Sequence, residues 1–188
     1  IYAHITELNK SGGTPGRLGY FTYKKVCYPI YGEGGEVIGD EWRIEDIAFK
    51  ESSEGYIRLH YEPDIKRDDD GEVVALAPYV IGGDTSENGE DYFTAKVISV
   101  MDAGCVATLR RQYMSEEEYA EQLYCLGTYY NTAKIAVEIN YSRHPVRVLR
   151  TKYQYPDLYI KKRVEGFADL TDRDYGFETN RVTKPVII

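Results

Sequence analysis

Pro78-Tyr79-Val80-Ile81-Gly82-Gly83-Asp84 is a short apolar run that ends in an acid and gives way to a polar, glycine-containing loop, Thr85 to Glu90. A run of this length bounded by turn residues predicts a buried strand. A carboxylate at its C-terminal tip is held by a rigid element and faces a cleft rather than the core. A second run, Lys134-Ile135-Ala136-Val137-Glu138, also ends in an acid and is also followed by polar residues, Asn140 and Ser142. Two strands each ending in a carboxylate are one way to build a magnesium-dependent nuclease site, because hard divalent cations take oxygen ligands fixed in space. Asp84 taken alone is equally a turn-forming residue ahead of a loop. Strand-end glutamates are common, so Glu138 draws its meaning from Asp84.

Working outward, the strand over Tyr79 to Gly83 is followed by a second, Tyr92 to Met101, and, after the turn Asp102-Ala103-Gly104, by a third, Cys105 to Tyr113. Short connections make these antiparallel neighbours. Ser115-Glu116-Glu117-Glu118 then opens a helix as a capping box, with Ser115 as cap and Glu118 reaching back. Tyr119, Leu123, Leu126, Gly127 and Tyr130 share one face of that helix at the 3.6-residue period. The strand to Glu138 follows. Ser142 and Pro145 open a shorter helix with Val146, Leu149 and Tyr153 inward, and Leu158-Tyr159-Ile160 forms a last short strand. Three antiparallel strands, a helix, a strand, a helix and a strand predict an α/β, ribonuclease H-like mixed sheet. Its helical crossovers make the later strands parallel to the first and bring the tips carrying Asp84 and Glu138 to the same edge.

The preceding 77 residues read as a β-rich appendage. Ser11-Gly12-Gly13-Thr14-Pro15-Gly16 reads as linker or loop. Tyr20 to Tyr23, Val26 to Tyr31, Ile44 to Phe49 and Tyr56 to Tyr61 have strand composition, with turn signals at Gly34-Gly35, Glu54-Gly55 and Asp70-Gly71. The expected division is therefore a connector over 1–77 and a ribonuclease H-like core over 78–188. The chain starts without Met and ends in the uncapped apolar run Pro185-Val186-Ile187-Ile188, which suggests a piece of a longer protein.

Composition narrows the function classes. The chain has 188 residues, 43% hydrophobic and 29% charged, as expected of a soluble globular protein with one good core. No apolar stretch approaches the ~20 residues of a membrane helix. Three widely spaced cysteines, Cys27, Cys105 and Cys125, fit neither a disulfide framework nor a zinc site and read as small core residues in a reducing cytoplasm. A net charge of −8 argues against a general nucleic-acid binder. One cationic cluster runs through Arg143, Arg147, Arg150, Lys152, Lys161, Lys162 and Arg163. It is either a solvated helix face and loop or a strip that tracks phosphates. His144 is either a surface residue or a phosphate contact. Lys66 to Ala77 fails as an EF-hand, since its first and twelfth positions are Lys and Ala. No G-x-x-x-x-G-K-[ST] occurs, so the chain is not itself an ATP-driven motor.

Three segments, Tyr79 to Tyr92, Ala133 to Ser142 and Thr179-Asn180-Arg181-Val182-Thr183-Lys184-Pro185, taken in order resemble the C-terminal nuclease domain of phage terminase large subunits. Residues 1–77 resemble, more weakly, the connector before it. In that family a first strand ends in a metal-binding Asp, a Gly-rich loop and an Asp-Tyr follow, and a Glu-x-Asn segment ends a later strand. The resemblance implies an endonuclease that cuts concatemeric double-stranded DNA, with two Mg2+ or Mn2+ ions about 3.5–4 Å apart. Asp84 and Glu138 would be metal ligands. Asp91 is either an accessory acid or a turn residue. Arg143, Arg147, Lys161, Lys162 and Arg163 would meet DNA. The family's third acid lies past the Thr-Lys-Pro stretch and is expected beyond Ile188; Asp169, Asp172 and Asp174 precede that stretch and read as surface-loop acids. Implied partners are the terminase ATPase domain, the small terminase subunit and the portal, in the cytoplasm of a bacterial host and without a membrane. A resolvase-like nuclease of the same fold, or a non-catalytic module docking on DNA or portal, are the competing readings.

Overall fold

The computed structural model describes residues 16–85, 91–161 and 174–179. Among these residues, nine strands and two helices follow in chain order: β1 (Arg17–Tyr31), β2 (Val37–Glu51), β3 (Ile57–Leu59), β4 (Ile65–Arg67), β5 (Val73–Leu76), β6 (Tyr79–Asp84), β7 (Phe93–Ser99), β8 (Cys105–Arg111), α1 (Glu116–Tyr129), β9 (Lys134–Val137) and α2 (His144–Arg147). The last helix continues as a π-helical turn, Val148–Lys152. Seven strands form one mixed sheet in the order β2-β1-β3-β8-β7-β6-β9, and β4 and β5 form a separate hairpin.

The central run behaves as its composition predicts. β6 pairs antiparallel with β7 over six residues and parallel with β9, with Gly83 opposite Val137. β7 pairs antiparallel with β8. Beyond β9, Leu158 bridges Ile135 and Phe177 bridges Glu138, both parallel. This order is compatible with a ribonuclease H-like sheet, although the chain is richer in strands and poorer in helix than the sequence alone suggests. The second predicted helix has a single α turn before it widens to the π form, and Val146, Leu149 and Tyr153 are buried as expected.

Residues 16–60 depart further from their sequence reading. The separate runs Tyr20–Tyr23 and Val26–Tyr31 belong to one 15-residue strand, and Ile44–Phe49 lies within its 15-residue partner. A bulge places Tyr23 against Asp46 and Ile47, with Asp46 at φ 52°, which twists the hairpin without ending it. β1 pairs with β3 and β3 with β8, so this hairpin extends the main sheet. Its distal half is exposed, Tyr31 at 62% and Ile38 at 63%.

Alternation along the central strands gives the sheet two unlike faces. Tyr79, Ile81, Phe93, Ala95, Val97, Ala107, Leu109, Ile135 and Val137 are buried. α1 covers this face with Tyr119, Ala120, Leu123 and Leu126, all 0% exposed. Gly83 is required there: a Cβ would stand 2.4 Å from Tyr119 Oη, and that hydroxyl is tied to Thr94 O at 2.7 Å. Ser115 caps α1 by accepting from Glu118 N–H at 3.0 Å. Glu118 turns away from the box and accepts from Tyr56 Oη and Arg111 Nη1, both at 3.2 Å.

Two polar residues of α1 are buried where amphipathic spacing predicts none. Gln122 accepts from Phe21 N–H at 3.1 Å and donates to Phe21 O at 2.9 Å, pairing with β1 as another strand would. Glu121, 3% exposed, accepts from Tyr23 Oη, Lys25 Nζ and Tyr153 Oη. The cysteines also divide: Cys125 is buried, Cys105 half-buried and Cys27 exposed, so only the first matches the expected core role. Among the described residues no helix is long and apolar enough to cross a membrane.

Gln122→Met keeps the volume but leaves both backbone groups of Phe21 without a partner. We expect a loss of roughly 2–3 kcal/mol in urea unfolding, with the hairpin amides exchanging faster than those of β6 and β7. An unchanged midpoint would mean that Gln122 does not hold the hairpin base.

Candidate active site

Parallel pairing builds the site. Because Gly83 lies opposite Val137, the next residue on each strand, Asp84 and Glu138, leaves the sheet at the same edge. Glu138 N–H donates to Gly83 O at 2.8 Å, which extends the ladder to the last possible residue. Both side chains belong to the face opposite α1, with Asp84 exposed and Glu138 half-buried.

The two carboxyl groups interact directly. Partial burial, the Glu138 charge and a hydrogen bond to the Glu138 carboxylate raise Asp84 above the ordinary carboxylate range; Asp91 adds in the same direction, and the Thr85 backbone opposes them. Two carboxylates at such range are stable only with a proton or a cation between them. Glu138 is fixed from the other side: Asn140 Nδ2 donates to its Oε1 at 2.8 Å, and the Thr179 hydroxyl donates to the same oxygen. Asn140 Nδ2 also reaches Thr179 O at 2.9 Å. Thr85, 4% exposed, buries a hydroxyl with no hydrogen-bond partner among the described residues. A pair of carboxylates with oxygen donors alone suits a hard divalent ion, which takes one or two carboxylates and completes its shell with water and phosphate. Among the described residues no group of three or more His, Cys, Asp or Glu side chains is arranged to hold a metal ion.

Beyond Glu138 the turn into α2 opens a cavity of about 480 Å3, lined by Asn140, Tyr141, Arg143, His144, Arg147 and Glu178 among others. Asn140 therefore joins the carboxylate site to a cationic hollow. Arg143 Nη2 is paired with Glu178 at 3.0 Å and Lys161 Nζ with the same carboxylate at 2.7 Å. Arg147 is exposed and lies on the cavity wall. Asp91 sits exposed just before β7 and acts on Asp84 electrostatically.

The structure thus brings together Asp84, Glu138 and, at longer range, Asp91, and gathers Arg143 and Arg147 beside them. Lys162, Arg163, Asp169, Asp172, loop residues 86–90 and the Thr-Lys-Pro stretch after Thr179 lie outside the described residues. Thr179 was visible only as part of a motif. Its hold on Glu138 spans 41 positions, and no local pattern reports that.

No protein-family model matches the chain, and no curated protein matches it. Among solved structures it is similar to the large terminase nuclease from thermophilic phage G20c, at 15% identity and a TM-score of 0.41, over 54% of this chain and 50% of that one. The same nuclease with bound magnesium aligns at 17% identity and 0.35, over 46% and 40%. The Thermus phage P74-26 large terminase nuclease domain aligns at 15% and 0.39, over 58% and 53%. The chain thus spans about half the length of the structures it matches. Likeness at these scores carries no argument about its activity.

The raised Asp84 value has a stability consequence whose sign is definite. A carboxyl whose folded pKa lies above its unfolded value favours the fold while protonated and loses that contribution as pH rises through the folded pKa. In metal-free buffer, Asp84→Asn should therefore unfold at higher urea than the native chain at neutral pH. The gap should narrow as pH falls through the raised Asp84 value and be closed once pH is below the ordinary Asp value of 3.8. A gap that is constant with pH would show that Asp84 and Glu138 are not coupled.

Proposed function

We propose that this chain is a divalent-metal-dependent endonuclease module of the phage terminase type, with a ribonuclease H-like core, acting on double-stranded DNA. The observation that carries it is the Asp84–Glu138 pair, two carboxylates brought to one sheet edge by the parallel pairing of their strands. The sequence resemblance over 78–188 supplies the reaction class.

Bound Mg2+ or Mn2+ would supply Lewis-acid charge and a nucleophilic water, in the two-ion arrangement used for phosphodiester hydrolysis. Asp84 and Glu138 would hold the ions, with Asp91 as an accessory acid. Asn140 and Thr179 keep Glu138 Oε1 aimed at the site, and such supporting hydrogen bonds set ligand geometry. The Arg143–Arg147 hollow would take a neighbouring phosphate, and Lys161, Lys162 and Arg163 would extend that contact. In the reaction, water oxygen bonds to phosphorus as the bond from phosphorus to the 3′-oxygen breaks, and the 3′-oxygen leaves with a proton. On this reading the ATPase domain, the small terminase subunit and the portal are partners of the parent protein, in the host cytoplasm.

Calorimetry with Mn2+ and plasmid nicking test it together. With the family's third acid not among its residues, the native chain should bind Mn2+ weakly and nick slowly. Asp84→Ala and Glu138→Ala should each lose both, and Asn140→Ala should weaken metal binding about 10–100-fold. Equal binding and nicking by the native chain and Asp84→Ala would overturn the assignment.

A further inference from the structure

Among the described residues, the face of the sheet opposite α1 has no covering layer beside the carboxylates. A Cβ added at Gly82, the residue two before Asp84, would meet nothing within 4 Å. Strand register lays out what flanks that gap. Asp84 lies opposite Thr94, and Thr94 opposite Arg110. One row back, Gly82 lies opposite Lys96, Lys96 opposite Thr108, and Thr108 opposite Arg58. All of these residues fall on the outward phase of their strands. Lys96 and Arg110 are exposed. The Arg110 guanidinium lies over the Tyr92 ring at 3.7 Å, which fixes its direction while leaving its N–H donors available.

Resting on the nuclease reading of the carboxylate pair, we propose that this open face, through Lys96 and Arg110, is the platform on which the backbone of duplex DNA lies as it approaches Asp84 and Glu138. In a chain of net charge −8, Lys96 and Arg110 put two exposed positive charges one and two strands from the carboxylate pair, where a polyanion reaching the site would meet them. Two strand spacings put Arg110 about 10 Å from Asp84. That is about three base steps of a duplex at 3.4 Å each, short enough for both positions to meet the same side of the double helix. Arg110 covers one face of the Tyr92 ring, and what Lys96 and Arg110 themselves offer is charge-assisted contact to a nucleic-acid backbone. With the Arg143–Arg147 hollow on the far side of Glu138, the carboxylates lie between two phosphate-binding regions.

The test is anisotropy of a labelled short duplex with the full chain in EDTA, over a range of salt. Loss of two phosphate contacts in Lys96→Ala/Arg110→Ala should lower affinity roughly tenfold or more and flatten the log K against log salt slope by about 2. Lys24→Ala/Lys50→Ala, which removes the same charge from the β1–β2 hairpin, should bind as the native chain does. Asp84→Asn should still bind. Native-like binding by Lys96→Ala/Arg110→Ala, or no salt-dependent binding by the native chain, overturns the platform. Tighter binding of a single strand than of the duplex overturns it as well. The two readings fail separately: Asp84-dependent nicking with an inert Lys96/Arg110 pair removes only the platform. A Lys96/Arg110-dependent duplex affinity without nicking removes only the nuclease assignment.

Discussion

The parallel pairing of β6 with β9 is the constraint on which the rest depends. Parallel neighbours cannot be joined by a tight turn, so the chain must leave the sheet, cross one face and return. Here α1 makes the crossing, and its weight rests on Tyr119, which occupies the space that a side chain at Gly83 would fill. The glycine therefore does two things at once: it lets the helix seat closely, and it sets the last turn of ladder before Asp84. If α1 rode higher, β9 would lose its register and Glu138 would no longer emerge beside Asp84.

Tyrosine is the means by which this core tolerates so much polar substance. The chain has 19 tyrosines, and the deepest ones end on backbone carbonyls: Tyr119 on Thr94, Tyr130 on Tyr61 and Tyr155 on Ala133. Each buries a ring and satisfies its hydroxyl with a carbonyl of another segment. The same logic explains Glu121 and Gln122. A buried carboxylate is costly unless its lone pairs are filled, and Glu121 is met by a tyrosine hydroxyl and an ammonium from β1 and by the Tyr153 hydroxyl after the π-helical turn. These contacts bind the long hairpin to the helix and make one unit of regions whose local sequences look unrelated.

The electrostatics are uneven by design of the sheet edge. Like charges at Asp84 and Glu138 oppose each other, Asp91 adds to the opposition, and cations stand on both sides without cancelling them. Such an arrangement is poorly stable alone and becomes favourable when a cation and an anion arrive together, which is the condition that a metal ion and a phosphate satisfy.

Sequence by itself determined the central strands, the position of α1 and its cap, and the two acids at strand tips, because alternation, the 3.6-residue period and Ser115 are all local signals. It also placed Arg143 and Arg147 near Glu138, since they follow within a few residues. It did not show that the hairpin strands run through a bulge, that Glu118 abandons its box for Tyr56 and Arg111, or that Gln122 pairs with Phe21 across 101 positions. Nor did it reveal Lys96 and Arg110 as neighbours of Asp84. Both lie on the outward phase of their strands in the structure, but strand register sets which outward residues share a row, and register is fixed by pairing between distant segments. The chemistry of each residue was legible locally; the company it keeps was decided by the tertiary structure.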